Sequence, residues 1–552
     1  MSRPTKLQTT LSTQYKNFKI ESQDETIDEL VYESNTDIND LIDPEEFFAQ
    51  YIAPRKPVKF VDYPLIGADG SRFDFEKFNS ENILKTLNYD EDLQIEKKFQ
   101  EGFGSGQPRV KFGLSKLIQL FKDGHDEYYL TTQYDFDDPD NIKEQDGEVK
   151  EEDDDEEEDD GDEQENDDEE DVDEDSEKIN DEESDDKNEE TKGVHIDVKF
   201  NADEEDFSDT SSIDMNDLHD DFVDSDEDSE EDNDVILDKE LGITQTEVDQ
   251  RIRELLQPPL TNLVKHPSIL SIRPRIFSKL IPQQINLWVG ASSSKTVSAN
   301  EITLDLQDSA TLGLGKSIPG EKRGTSSGLH HDHADNLYVL VSGMKRFTLF
   351  SPADASKLYT IGNIFKVFNS GIIDYVVNEF ASDWKHIRDD GALVEEIIDR
   401  KLETSKGSEK VKLITELKAL IKERNNVKKP SARLDPPNFS KIPPALLHID
   451  EFPNEDTRAQ LISFANEYFP GFLSLNKYEV SLTPGDMLYL PAGWFHEVSS
   501  FGESSSNDKS NIHIALNYWF MPPTTSSFEQ CYEDDYWPED WFRTEKCIQL
   551  CN

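Results

Sequence analysis

The run Ser327-Gly-Leu-His-His-Asp-His-Ala-Asp-Asn-Leu-Tyr-Val-Leu-Val-Ser-Gly-Met-Lys345 carries two histidine-spaced polar groups into a strongly apolar strand. In an extended chain residues i and i+2 face the same side, so His330 and Asp332 can reach one point while His331 points away. The strand continues through Asn336-Leu-Tyr-Val-Leu-Val341, breaks at Ser342-Gly343-Met344 and resumes as Lys345-Arg-Phe-Thr-Leu-Phe350. That pattern predicts a β-hairpin. Its return strand sets Lys345 on one face with Phe347 and Leu349. An ammonium among apolar neighbours is costly unless it meets an anion, and a carboxylate is the natural one.

Working outward, Pro484-Gly-Asp-Met-Leu-Tyr-Leu-Pro-Ala-Gly-Trp-Phe-His496 reads as a turn, a short strand, a break, and a histidine at a strand edge. The strand Ile512-His-Ile-Ala-Leu-Asn-Tyr-Trp-Phe520 is expected to pair with it, with Asn517 and Trp519 on one face. Together these segments predict an antiparallel barrel. Two imidazoles and one carboxylate on one side of an ion leave three positions open, the donor set of mononuclear Fe(II) oxygenases. Imidazole suits zinc equally, and His331 and His333 adjoin the proposed ligands. A zinc cluster, a zinc-dependent hydrolase and a plain surface loop therefore remain alternatives at this point.

The two quoted stretches resemble the JmjC-domain oxygenases, and within them the small hydroxylase branch. Asn286-Leu-Trp-Val-Gly290 and Asn517-Tyr-Trp-Phe520 point the same way, and the likeness spans residues 43–520 with two interruptions. The resemblance implies a mostly β fold with α elements: a double-stranded β-helix of the jelly-roll or cupin type, with flanking helices. It implies Fe(II) held by His330, Asp332 and His496, with O₂ as co-substrate. It implies that Lys345 and Tyr129 take the distal carboxylate of 2-oxoglutarate, and that Asn336, Ser327 and Asn517 line its pocket. The activity implied is hydroxylation of a lysine in a protein substrate, a translation-associated GTP-binding protein. Two alternatives stay open: a JmjC histone lysine demethylase, and a non-catalytic module that binds a peptide or a histone.

The 552 residues carry 120 acidic and 56 basic side chains, a net charge of −64. Most of that charge lies in residues 135–238, as in Glu151-Glu-Asp-Asp-Asp-Glu-Glu-Glu-Asp-Asp160. Such a tract repels itself and buries little, so it is expected to stay disordered as an insertion within one fold. It serves either as a solvating spacer or as an arm for basic proteins, with salt-sensitive attraction, and its sign disfavours nucleic acid. Ser225 and Ser229, set among acids, fit acidophilic phosphorylation. Residues 1–25 read as a flexible terminus and 26–134 as an αβ lead-in. In that lead-in Asp43-Pro44-Glu45-Glu46 starts a helix and 114–122 form another. The barrel occupies 239–520 with an amphipathic helical insertion at about 385–430, expected to pack against the barrel, and 521–552 form a C-terminal segment. Its aromatic stretch 532–542 permits a homodimer. Three cysteines, the lack of a secretion signal and the lack of an apolar run near 20 residues predict a cytoplasmic or nuclear protein without membrane contact.

Overall fold

The computed structural model describes residues 12–33, 41–97, 109–133, 235–292, 325–429, 436–501 and 511–551. In chain order the strands begin with β1 (Ser12–Thr13), β2 (Asp28–Val31), β3 (Val58–Val61), β4 (Asp92–Lys97), β5 (Arg109–Gly113) and β6 (Tyr128–Leu130). They continue with β7 (Ile236–Asp238), β8 (Ile243–Thr244), β9 (Pro282–Ala291), β10 (Thr325–Ser326), β11 (His330–His331), β12 (Asp335–Ser342) and β13 (Met344–Phe350). The last are β14 (Ile364–Val367), β15 (Ile373–Tyr375), β16 (Tyr478–Leu482), β17 (Met487–Leu490), β18 (Phe495–Phe501) and β19 (Ile512–Phe520).

Two sheets build the jelly roll. The larger runs β2-β3-β17-β12-β19-β9-β6-β4-β5, antiparallel except for the β2–β3 pair. The smaller runs β10-β18-β13-β16, with β11 also on β18. The period-two alternation of β12 explains their relation. Its even positions Tyr338 and Leu340 join Phe347 and Leu349 of β13, Val480 and Leu482 of β16, and Ala515 of β19 in a core between the sheets. Its odd positions Leu337, Val339 and Val341 face a second core, shared with Leu287, Val289, Leu516 and the helix Gln245–Leu255. A sheet covered on both faces reads as a nearly continuous apolar run, as β12 does.

Here the expected hairpin is corrected. β12 and β13 are consecutive but unpaired: β12 bonds to β17 and β19, whereas β13 bonds to β16 and β18. Gly343, at φ 84°, passes the chain from one sheet to the other. A Cβ there would sit 2.5 Å from the His513 side chain, so only glycine allows the crossing. The partner expected for β19 changes for the same reason. It lies between β12 and β9, and neither β17 nor β18 bonds to it.

Other expectations also shift. Of the terminus read as flexible, residues 12–25 lie on the fold. β1 pairs with β14, Tyr15 and Ile20 are buried, and Phe18 stacks on Trp494 with ring centroids 6.2 Å apart. The lead-in helix starts as read, with Asp43 Oδ1 accepting from Glu45 N at 2.9 Å, and Leu114–Lys122 forms a helix ended by Gly124 at φ 96°. The helical insertion is a pair, Val394–Thr404 and Gly407–Asn425. The first buries Ile397 and Ile398 and the second buries no residue fully, so a helix expected to pack on the barrel stands largely in solvent. Ile397 joins the core that holds Leu287 and Leu516, and the segment around the pair also has a core of its own, with Tyr375, Trp384, Leu446 and Phe472.

In the C-terminal segment Tyr532, Trp537 and Trp541 are buried within the chain, which leaves Phe542 as its half-exposed aromatic. The expected acidic insertion lies outside the described residues except for its last few, where Ile236–Asp238 pairs with β8; Ser225 and Ser229 lie outside as well. Among the described residues no helix is long and apolar enough to cross a membrane.

Candidate metal centre

β11 and β18 are antiparallel neighbours, and their register sets His330 directly opposite His496. The chain then bends between β11 and β12 so that Asp332 joins them. The ligand atoms of His330, Asp332 and His496 lie within 4.8 Å of one another, with His496 Nε2 3.6 Å from Asp332 Oδ2. His330 Nδ1 is 2.9 Å from the Gly328 carbonyl, and His496 Nδ1 is 3.0 Å from the Trp494 carbonyl. A carbonyl can only accept, so each Nδ1 carries its hydrogen and each Nε2 presents a lone pair toward the shared point. Burial pushes the Asp332 carboxyl above its ordinary range, as expected of a carboxylate held for a cation that would restore its charge.

Direction separates the two neighbouring histidines from this cluster. His331 turns to the other side and meets the Tyr375 hydroxyl at 2.5 Å, and His333 Nε2 meets the Ile373 carbonyl at 3.0 Å. Burial drives both imidazoles below their ordinary pKa, leaving neutral rings packed in the neighbouring core.

Lys345 stands across from Ser500, and Leu349 across from His496, so the lysine lies two inward positions beyond the metal ligand. That is roughly 13 Å along the strand. The ammonium is 1% exposed, bonds to Ser500 Oγ at 2.5 Å and lies 5.7 Å from the centre of the Tyr129 ring. Among the described residues no carboxylate forms an ion pair with it. Burial alone pulls its pKa down to about 7.

Tyr129 therefore belongs to the lysine's surroundings, with its ring also 5.6 Å from His513 and 5.9 Å from Trp288. Gly290 makes room for it, since a Cβ there would meet Tyr129 at 2.4 Å and His513 at 2.5 Å. Asn336 and Asn517 occupy inward positions of β12 and β19. Ser327 does different work: its hydroxyl accepts from Val498 N at 3.0 Å and donates to the Gly328 carbonyl at 2.9 Å, tying β18 to the chain before His330.

Sequence reasoning missed Ser500 and His513, and it quoted Asn286 and Trp288 without giving them a role at the site. The period of β18 was the available signal, because 496, 498 and 500 share a face. Phe439, from the segment between the half-sites, was also missed. It stacks on His330 at 4.9 Å with planes 12° apart, and no local pattern announces it.

Six buried polar atoms on inward positions of β9, β12 and β19 have no hydrogen-bond partner among the described residues: Asn286 Oδ1, Trp288 Nε1, Asn336 Oδ1, His513 Nδ1, Asn517 Oδ1 and Trp519 Nε1. Each would cost about 1–3 kcal/mol if left dry. A barrel interior that is merely packed does not keep six such groups, whereas one that receives a polar guest does. The His₂Asp donor set fits an Fe(II) ion, and the Trp288 and Trp519 N–H groups, which can only donate, fit the carboxylate oxygens of a small dicarboxylate.

The sequence pattern of the cupin-like domain matches residues 44–526. JmjC domain-containing protein 4 of Schizosaccharomyces pombe is 29% identical over 345 residues, 52% of this chain and 64% of that protein. Lysine-specific demethylase JMJ32 of Arabidopsis thaliana is 24% identical over 240 residues, 43% of this chain and 42% of that protein. A putative JmjC domain-containing protein, L887, of Acanthamoeba polyphaga mimivirus is 34% identical over 55 residues, 10% of this chain and 8% of that protein. The matched part of this chain thus spans less than two thirds of each relative's length. Because the matched pattern takes in both halves of the triad and the buried lysine between them, this chain is a member of the cupin-like domain family and is related to JmjC-domain proteins.

Proposed function

We propose that this chain is an Fe(II)- and 2-oxoglutarate-dependent protein hydroxylase. One observation carries the reading: a lysine 1% exposed, without a carboxylate partner among the described residues, shares its barrel with a His₂Asp triad. His330, Asp332 and His496 would hold the metal, and Lys345 with Tyr129 would hold the distal carboxylate of the keto acid. When bound, the pair couples oxidative decarboxylation of 2-oxoglutarate to succinate and CO₂ with transfer of one oxygen atom from O₂ into a substrate C–H bond.

The chain's own task is positional. The Gly328 and Trp494 carbonyls fix the tautomers and ring directions of the two histidines. Phe439 walls one face of His330. The inward asparagines and tryptophans offer polar contacts to the co-substrate, and the apolar residues around Tyr338 and Phe347 keep bulk water from the barrel interior.

The finer reading is hydroxylation of a lysine side chain on a translation-associated GTP-binding protein. It is supported by the likeness of Asn286-Leu-Trp-Val-Gly290 and Asn517-Tyr-Trp-Phe520 to the lysyl hydroxylase JmjC domain-containing protein 7. On this reading the acidic tract attracts basic proteins, and the chain works in the cytoplasm or nucleus. A second reading, lysine demethylation, is favoured by the name of the Arabidopsis relative.

The test is succinate formation from 2-oxoglutarate by the full-length protein with Fe(II), ascorbate and a cell extract, against a His330→Ala/Asp332→Ala variant. Extract-stimulated succinate that vanishes in the variant supports the oxygenase, and a stable gain of one oxygen on a lysine peptide supports hydroxylation. Formaldehyde release moves the assignment to demethylation. Absence of turnover with every extract counts against an enzyme and favours a binding module.

A further inference from the structure

The two halves of the triad come from distant parts of the chain, and something must hold them at ligand distance. Asp335, three positions after Asp332, is wholly buried and accepts from four donors. Arg55 supplies two, one of them at 2.9 Å, the Tyr489 hydroxyl a third at 2.7 Å and the Ala492 backbone N–H a fourth at 2.9 Å. Arg55 is itself 2% exposed and sits at φ 59°, a backbone region that a non-glycine residue occupies only when its surroundings hold it there. Its carbonyl accepts from Trp494 Nε1 at 3.0 Å, and the Trp494 carbonyl is the group that orients His496. Gly493 N, one residue away, donates to the Asp332 carbonyl at 2.8 Å.

This arrangement has no slack. A Cβ on Gly493 would lie 1.7 Å from the Gly371 oxygen, so the loop ahead of His496 is held against a second loop as well as against Asp335.

Resting on the reading of His330, Asp332 and His496 as a metal centre, we infer that the Arg55–Asp335 ion pair is a positioning device for that centre. It fixes the separation of the two half-sites through Asp335 and the direction of the His496 imidazole through Arg55 and Trp494. A bidentate guanidinium–carboxylate pair is directional, and this one carries that geometry from the lead-in segment to both halves of the site. Lysine would supply the charge without the fork.

A pair that only glues the fold together would alter stability and leave the metal indifferent. Co(II) titration of the full-length protein, read by visible absorption, separates the two roles. Arg55→Lys keeps the charge and loses the fork. Arg55→Met/Asp335→Asn removes both charges and keeps an amide oxygen for the Ala492 N–H, the exchange that folded proteins tolerate best at a buried ion pair. The expected result is folded variants whose Co(II) affinity is about 10–100-fold weaker, with a changed visible spectrum. Affinity within twofold of wild type and an unchanged spectrum would overturn the inference. So would loss of folding in both variants, which makes the pair a folding element and nothing more. If wild type itself takes up no Co(II), the reading of the triad fails with it; if wild type binds and the variants match it, the positioning role alone fails.

Discussion

Replacing Lys345 with methionine should make the protein more stable and the site useless. The ammonium is 1% exposed, and its pKa of about 7 stands well below the ordinary 10.5. At about 1.36 kcal/mol per unit, holding it charged inside the barrel costs on the order of 5 kcal/mol in acid and about 4 kcal/mol at pH 7. Methionine fills a similar volume without the charge and forfeits the bond to Ser500, about 1 kcal/mol. The net gain is about 3 kcal/mol, or a rise of several degrees in the melting temperature.

The sign with pH follows from proton binding. Between pH 7 and 10.5 the unfolded chain holds a proton on Lys345 that the folded chain has lost, so wild type gains stability as pH rises through that window. The advantage of Lys345→Met should therefore shrink by about 1 kcal/mol from pH 7 to 8 and by about 1.3 kcal/mol from pH 8 to 9. In thermal unfolding with Mn(II), 2-oxoglutarate at 100 times its dissociation constant should stabilise wild type by about 2.7 kcal/mol and leave the variant unmoved. A variant that melts below wild type at pH 7, or one that still responds to 2-oxoglutarate, refutes the reasoning.

Gly290→Ala places a methyl group against the Tyr129 and His513 rings. It should cost about 1–3 kcal/mol of stability and weaken 2-oxoglutarate binding at least tenfold, both read by calorimetry. For His448, burial lowers the imidazole pKa but bonds to Glu451 and Glu497 outweigh it and raise the pKa above 6.5. Its contribution is complete below pH 6.5 and lost as pH rises through the folded value, so in urea unfolding His448→Gln should lose more stability relative to wild type at pH 6 than at pH 8. Phe439→Ala should remove the wall beside His330 and raise succinate formed without substrate relative to hydroxylated product, measured as the ratio of the two.

Much of the site was legible because strands have an exact period. The shared face of Lys345, Phe347 and Leu349 survives into three dimensions unchanged, whereas His330 and Asp332 meet because the chain bends after β11. Pairing was not legible. A glycine between two strands reads as a hairpin, and nothing local reveals that β12 and β13 part into different sheets, because that choice is made by β16 to β19, more than a hundred residues downstream. Arg55 was silent for the same reason. An arginine after Ala53-Pro54 looks like solvent-facing charge until Asp335 arrives from elsewhere in the chain to bury it. The helix Gly407–Asn425 misled in the opposite direction: its apolar spacing predicts packing on the barrel, yet none of its residues is buried.

The most direct measurement mixes the anaerobic protein with Fe(II) and 2-oxoglutarate and looks for the visible charge-transfer absorption of the chelated pair. The account predicts that wild type develops the band and that His330→Ala/Asp332→Ala does not, while Lys345→Met needs far more 2-oxoglutarate to reach it. A wild-type protein that stays colourless, or a band that survives loss of His330 and Asp332, would contradict the assignment of this barrel as an iron and 2-oxoglutarate site.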